Sequence, residues 1–286
     1  MGQYFINSMS KSHFKNGATP QLVHMCNVET KHTMWPRVLH MHEDIMEIVF
    51  IKEGSGCHLI GEKKYSVCEG DILIYNSNVL HDEYTNQDQN MSVYCCGISN
   101  LHIEGLSANH LVSQNQSYVL SSGEKREEIE NLLQVMFSQV QKGEDGYEET
   151  CHYLLSALIS IILQIPQENA SLPREEESIL FSQIKSYINK YYREELTLAS
   201  IAKDLSISSY YLAHLFKKET GFSPIQYIMR RRIGEAQSLL MNTDYNITMI
   251  AGIVGYDNPN YFTTLFSKIV GMSPKKYRQL WSISHS

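Results

Sequence analysis

Two short segments of this 286-residue chain carry the side chains best suited to hold something small. In the first, His40-x-His42 is followed after four residues by Glu47, and Glu47 after six by Gly54. In the second, Gly70 leads through Asn76 and Asn78 to His81. Imidazole and carboxylate are ligands for iron, manganese or zinc, and equally the donors and acceptors of a polar pocket. Just upstream, Trp35 and Arg37 offer a stacking plane and a cationic fork that would suit a sugar or a carboxylate.

The elements that must position these groups read as strands. From Gln21 to about Ser99, short β-rich runs (22–28, 37–42, 47–51, 56–60, 65–67, 71–75 and 91–98) alternate with Gly and Asn turns. That spacing predicts an antiparallel sandwich or barrel. Strand alternation then puts His40 and His42 on one face. Two helices follow. Residues 122–142 place Ile129, Leu132, Leu133, Met136 and Val140 on one side, and a more apolar helix over 147–165 carries Leu154, Leu155, Leu158, Ile159 and Ile162. Residues 1 to about 20 read as a polar arm, and 166–177, with two prolines and a Glu run, as a linker.

The last hundred residues repeat themselves. Leu215-Phe216-Lys217 through Gly221, Ser223-Pro224 and Tyr227 recurs 50 residues later as Leu265-Phe266, Lys268, Gly271, Ser273-Pro274 and Tyr277, and Tyr211 falls on Tyr261. Upstream the offset is 49, pairing Ile201-Ala202 with Ile250-Ala251, so the second copy has a turn one residue longer. Each copy reads as helix, turn, helix, with a small alanine where the helices cross and Gly255 easing the second turn. Gly221 and Gly271 suit left-handed caps, and each Ser-Pro restarts a helix; Ser223 with Gln226 forms a capping box. Ser223 to Asn242 would form one joining helix about 30 Å long.

Charge divides the same way. Residues 1–179 carry 11 Lys/Arg against 24 Asp/Glu, whereas residues 180–286 carry 13 against 7. Taken whole, the net charge of -7 argues against nucleic acid; taken by halves, the basic carboxy-terminal part suits it. The six cysteines contain no Cys-x-x-Cys pair and read as reduced thiols, with Cys95 and Cys96 expected to alternate between core and surface. The opening residues lack a signal-peptide apolar run, and 154–163 is too short an apolar stretch to span a bilayer, so a cytoplasmic protein without membrane partners is expected.

The duplicated segment resembles the DNA-binding domain of the AraC/XylS regulators, and the Gly-x-Ser-Pro-x-x-Tyr block closing each half carries that resemblance. The two amino-terminal segments are similar to the signatures of a cupin barrel, with Asn76 and Asn78 replacing its usual Pro and Gly. The resemblance implies an α+β chain: a cupin-like effector barrel with its arm (1–105), a helical region suited to dimerisation (106–165), the linker (166–177) and a double helix-turn-helix domain (178–286). It also implies that His40, His42, Glu47 and His81 lie together where cupin enzymes hold a metal. We expect a metal-free effector pocket there, formed with Trp35 and Arg37 and without a cofactor. A regulator needs a sensed ligand, with a carbohydrate favoured, rather than turnover. The alternatives are a metal-dependent cupin enzyme tethered to DNA, or a ligand-independent dimeric regulator.

On the two recognition helices, Tyr211, Leu212, Leu215 and Phe216, and likewise Tyr261, Phe262, Leu265 and Phe266, are expected to face inward. The outward candidates for promoter DNA are then Ser209, Tyr210, Ala213, His214, Lys217 and Lys218 on the first helix. On the second they are Pro259, Asn260, Thr263, Thr264 and Lys268. His214 and Asn260 suit base edges, and the lysines suit phosphates. Arg230-Arg231-Arg232 is assigned mainly to structure and solvent, and the resemblance implies an internal salt bridge for Arg232. Activation in a homodimer completes the expectation.

Overall fold

The structure, a computed structural model, describes residues 12–29, 37–61, 63–82, 91–113, 115–166 and 176–283. Trp35, most of the proposed linker and residues 1–11 of the proposed arm lie outside the described residues.

Among the described residues, eight antiparallel strands form the amino-terminal part: β1 (Gln21–Val28), β2 (Met46–Glu53), β3 (Ser55–Ile60), β4 (Lys63–Cys68), β5 (Asp71–Tyr75), β6 (His81–Asp82), β7 (Ser92–Ser99) and β8 (Val119–Ser121). They make a five-stranded sheet ordered β1-β7-β2-β5-β8 and a three-stranded sheet ordered β4-β3-β6. The central strand β2 is buried on both faces. Its Met46, Ile48 and Phe50 face α1 (Arg126–Lys142) and α2 (Tyr147–Ile162), packing with Leu133, Met136, Leu155 and Leu158. Val49 and Ile51 point the other way, into a core shared with Ile60 and Val67 of the smaller sheet. Alternation therefore turns Glu47 into the space between the sheets, the setting that gives its carboxylate a purpose.

Two expectations fail here. Residues 37–42 are not a strand; they cross the smaller sheet's edge in one isolated bridge, His40 with His81. Cys95 and Cys96 are both buried, because β7 is an interior strand covered on both faces.

The carboxy-terminal part is helical: α3 (Glu176–Tyr191), α4 (Leu198–Asp204), α5 (Ser209–Thr220), α6 (Pro224–Asn242), α7 (Ile247–Ile253), α8 (Pro259–Val270) and α9 (Pro274–Ile283). Helices α4–α5 and α7–α8 are the two copies of the repeat, and α6 joins them. Ser223 with Gln226 completes the expected capping box on α6, and the structure adds two caps, Ser208 on α5 and Asn258 on α8. Gly221 and Gly271 close α5 and α8 in the left-handed conformation. The equivalent turn residues Ser206 and Gly255 share positive φ, 55° and 89°, but only the second site is crowded: a Cβ on Gly255 would lie 2.3 Å from the Arg193 carbonyl oxygen. Ile184 and Ile188 of α3 are fully buried, whereas Ile179, expected beside them, is exposed.

Tyr211 and Tyr261 also depart from expectation, at 38% and 54% exposed. Leu212, Leu215 and Phe216 already fill the core-facing stripe of α5, and Phe262 and Phe266 do so on α8, so the preceding tyrosine falls outside it.

The two parts are joined by an apolar contact with polar ties at its edge. Val38, Leu39, Leu59 and Leu80 of the sheet region belong to the same hydrophobic core as Ile184, Tyr227, Ile228 and Ile233. The Val38 amide donates to Gln237 Oε1 over 2.9 Å, Lys185 Nζ donates to the Gly61 carbonyl, and Arg230 forks onto buried Asp82 through Nε and Nη2 at 2.8 and 2.9 Å. The arginine run is thus not a solvated face. Arg231 pairs with Glu235. Arg232 makes no salt bridge among the described residues but donates to the carbonyls of Tyr192, Glu194 and Gly255, tying the end of α3 to the second turn.

Candidate functional site

Glu47 is the centre of a buried polar cluster. His24 Nε2 and His42 Nε2 each lie 3.3 Å from its Oε1, Arg37 Nη1 3.6 Å from the same oxygen, and His81 Nε2 3.6 Å from Oε2. His40 completes the group, its ring centroid 4.2 Å from that of His81 and 5.0 Å from that of His42. The structure therefore brings together five of the six residues expected at the pocket, the sixth being Trp35. It does so without the strand on which the reasoning for His40 and His42 relied. What holds them is a backbone clasp: His40 and His81 exchange amide and carbonyl bonds of 2.9 and 2.8 Å.

Further supports are local. The Nδ1–H of His40 donates to the Val38 carbonyl at 3.0 Å, and that of His81 to the Val79 carbonyl at 2.9 Å, turning both Nε2 atoms inward. Tyr75 stacks on His81 with centroids 4.0 Å apart. Asn76, standing where proline was expected, brackets the neighbouring loop by donating to the Val112 carbonyl and accepting from the Leu111 amide.

His24 is a member that sequence reasoning missed. Gly97 lies between Glu47 on β2 and His24 on β1, and a Cβ there would stand 2.2 Å from the His24 ring. The bare glycine lets the imidazole lie over it to reach Glu47. Only the strand pairing reveals this; no local signal connects residues 24 and 47.

Electrostatics follow from burial and company. Burial by itself would raise the Glu47 pKa, but the contacts of His24, His42 and His81 outweigh it and hold the carboxylate well below its usual range. Burial pushes His40 well below an ordinary histidine, helped by Arg37, His81 and His42 and opposed by Glu47. Burial lowers His42 also, against the pull of Glu47.

His58, behind the cluster and bonded to the Tyr75 hydroxyl at 3.0 Å, is pushed down by burial to about 4. It stays neutral when folded, whereas an unfolded histidine takes a proton near 6.5. Its contribution to stability is complete above about pH 6.5 and lost as pH falls toward 4, roughly 3 kcal/mol over that window. His58→Asn, which cannot titrate, is expected to flatten the decline in thermal unfolding temperature between pH 7 and pH 5. An unchanged slope would remove His58 as a source of acid sensitivity.

A crevice of about 300 Å³ opens beside the cluster, lined by Met41, His42, Glu43 and Asp44 on one side and by Glu235, Ser238 and Asn242 of α6 on the other. His42 belongs to both cluster and crevice.

On the recognition helices, Tyr210, His214, Lys217 and Lys218 of α5 and Asn260, Thr264 and Lys268 of α8 are exposed; Ser209, Ala213, Pro259 and Thr263 are half-buried. Tyr210 is 82% exposed, and its ring lies nearly parallel to that of His214. Tyr211 and Tyr261 join this exposed set, at matching places in the two copies. The repeat would have flagged them, had their doubling been read as surface rather than core. Thr263 and Thr264 hydroxyls donate to the carbonyls of Pro259 and Asn260.

Comparison with known proteins agrees with both halves. Residues 23–159 match the AraC-like ligand binding domain, and residues 201–280 match a helix-turn-helix domain. The chain is 26% identical over 98% of its length, and 92% of the other's, to the uncharacterized HTH-type transcriptional regulator YdiP of Escherichia coli strain K12. It is 25% identical to the HTH-type transcriptional activator RhaS of Enterobacter sp. strain 638, over 83% of this chain and 86% of that one. The C-terminal domain of AraT, a response regulator from Geobacillus stearothermophilus, is 37% identical over 37% of this chain and 88% of its own, with a TM-score of 0.36. Among the described residues no helix is long and apolar enough to cross a membrane. With a ligand-binding domain at one end and a doubled helix-turn-helix at the other, this chain belongs to the AraC family of DNA-binding transcription regulators.

Proposed function

We propose that the buried cluster is the effector site of this regulator, that its ligand is a small oxygen-rich molecule with a carbohydrate favoured, and that occupancy reaches DNA through α6. One observation carries this reading. The two segments that meet at the cluster, around His40 and His81, also hold the joining helix: Val38 bonds Gln237, and Asp82 bonds Arg230. A ligand that moves the His40–His81 clasp moves the seat of α6, and with it the spacing or freedom of α5 and α8. Arg37, His40, His42, Glu47 and His81 would supply the polar contacts, and the crevice at His42 the way in.

By linkage, an effector that changes DNA affinity must find its own affinity changed by DNA in the same factor. The test is fluorescence anisotropy of the full chain on DNA from its own upstream region, across a panel of sugars and sugar acids, with calorimetry of any hit in the presence and absence of DNA. A ligand that stabilises the protein yet leaves DNA affinity unmoved would overturn the reading.

For the DNA contacts themselves, Asn260→Ala is expected to cost about 1–3 kcal/mol on the cognate sequence and to relax preference there. Lys217→Ala should instead weaken all sequences alike and reduce the salt slope by about one. Equal losses on cognate and random DNA for Asn260→Ala would remove it from base reading.

A further inference from the structure

We propose that Cys26 and Cys95 form a redox modification site, in which a hydroperoxide converts the two facing thiols into a reversible disulfide that ties β1 to β7 beside the polar cluster. The site itself is independent of the effector-site reading; only its consequence for ligand binding rests on that reading.

Strand pairing carries the argument. Cys26 of β1 and Cys95 of β7 stand directly opposite each other in the antiparallel register, so both side chains leave the same face of the sheet. Both lie in the core between the two sheets, with Val49 and Ile51. Directly opposed residues have Cα atoms about 4.5–5.5 Å apart, inside the ~4.4–6.8 Å that a disulfide spans. Their Cβ atoms start about 4.5–5.5 Å apart and must close to about 3.5–4.5 Å. β1 can make that approach because it is an edge strand, bonded among the described strands to β7 alone.

No other two cysteines are opposed in the strand pairing among the described residues. Cys57 stands opposite Ser66, Cys68 opposite Ser55, and Cys96 opposite Met25 and Ile48. Cys96 also points into the other core, toward the helices, and its thiol donates to the Ile48 carbonyl. Burial pushes that thiol up to about 12, which keeps it out of the exchange.

Access sets the order of events. Cys26 is half-buried and Cys95 buried, so Cys26 meets the oxidant first. Its sulfur attacks an oxygen of the hydroperoxide: the S–O bond forms, the O–O bond breaks, and the departing oxygen takes the thiol proton to leave as water or alcohol. The Cys95 sulfur then attacks the sulfenic sulfur of Cys26. The S–S bond forms, the S–O bond breaks, and hydroxide leaves as water with the Cys95 proton. In sum the two thiols lose two electrons and two protons, and one peroxide bond is reduced. Transcription regulators act where thiols are kept reduced, so the bond is transient and a dithiol reverses it.

The neighbours give the bond a consequence. The Cys95 sulfur lies within 4.8 Å of a His24 ring nitrogen and a Glu47 carboxylate oxygen. The next row across the sheet is His24, Gly97 and Glu47, where a Cβ on Gly97 would already stand 2.2 Å from the His24 ring. Drawing β1 toward β7 therefore pushes the imidazole off its seat against Glu47. On the effector-site reading, the oxidised chain binds its ligand more weakly.

The full chain would be treated with hydrogen peroxide, alkylated with iodoacetamide under denaturing conditions, digested without reductant and mapped by mass spectrometry. A bridge between Cys26 and Cys95 within one chain is expected, with a mass lower by two hydrogens and full reversal by dithiothreitol. Cys26→Ser should lose the bridge and Cys68→Ser should keep it, whereas Cys95→Ser should leave Cys26 as a sulfenic acid that dimedone labels. Cys26 and Cys95 both still alkylated once exposed Cys68 has been consumed, or a bridge from Cys26 to a different cysteine, overturns the proposal. The half-buried Cys26 variant decides even if Cys95→Ser fails to fold. Reduced and oxidised chains are then compared by calorimetry on the same panel of sugars and sugar acids, with a loss of affinity of about fivefold or more expected on oxidation. Equal affinity in the two forms overturns the coupling to the cluster, whereas binding by neither form counts against the effector-site reading alone.

Discussion

Gly234→Ala is expected to leave the DNA-binding half folded and to abolish its response to the effector. Gly234 sits in the middle of α6, where glycine costs a helix about 1 kcal/mol relative to alanine. Its presence is explained by what lies above it. A Cβ there would stand 2.2 Å from the Leu39 carbonyl oxygen, 2.5 Å from that of Val38 and 2.8 Å from the Leu39 carbonyl carbon. These are backbone atoms of the segment leading into His40, and they cannot swing aside as a side chain would. A methyl group must therefore lift the segment off α6, at about 1–3 kcal/mol or more, and take the Val38–Gln237 bond with it. Gly252 of α7 is the matched control, since nothing lies within 4 Å of its added Cβ. The measurement is anisotropy on operator DNA with and without effector, beside small-angle scattering for separation of the halves. Gly252→Ala should keep the full effector response and Gly234→Ala should lose it. A folded Gly234→Ala that responds like the unaltered chain would show that α6 does not carry the signal.

The contrast between what was and was not readable in the sequence follows from range. The doubled unit was legible because its evidence is local and written twice: Ser-Pro restarts at Ser223 and Ser273, left-handed closures at Gly221 and Gly271, and small Ala202 and Ala251 at the helix crossings. The sheets were legible through short β-rich runs set off by Gly and Asn turns, although β2, buried from Met46 to Ile51, showed no alternation that would have told which way Glu47 turns. The segment 37–42 was misread as a strand because it looks like one more short β-rich run, although Val38 and Leu39 are buried against α6 and not within a sheet. Gly234 was the overlooked signal. A glycine inside an otherwise strong helix marks a close approach, but nothing local says what approaches. The arginine run was rightly given a structural part, but the partner of Arg230 was hidden for the same reason, being 148 residues away at Asp82.

That pair carries the second large prediction. Asp82 is fully buried, and Arg230 holds both of its carboxylate oxygens with parallel bonds from Nε and Nη2. Such a pair adds little over a well-packed apolar replacement, yet removing one partner leaves an uncompensated charge in the interior and costs about 3–5 kcal/mol. Arg230→Ala would therefore favour an open arrangement in which Asp82 reaches water. The interface would open roughly 10²- to 4 × 10³-fold more often, given that each 1.4 kcal/mol is a factor of ten. Amide exchange should report this directly, with protection falling along β3, β6 and α6 while α4, α5, α7 and α8 keep theirs. Asp82→Asn in the Arg230→Ala background removes the stranded charge and should restore most of the lost protection, a coupling that a double-mutant cycle isolates. DNA binding is expected to follow the opening: Arg230→Ala should resemble Gly234→Ala in losing its effector response, and the double variant should regain part of it. If the two single variants and the double lose protection additively, the ion pair is not what seats the joining helix. The apolar contact of Val38, Leu39 and Leu80 with Ile228 and Ile233 would then be the part of the interface that decides the response.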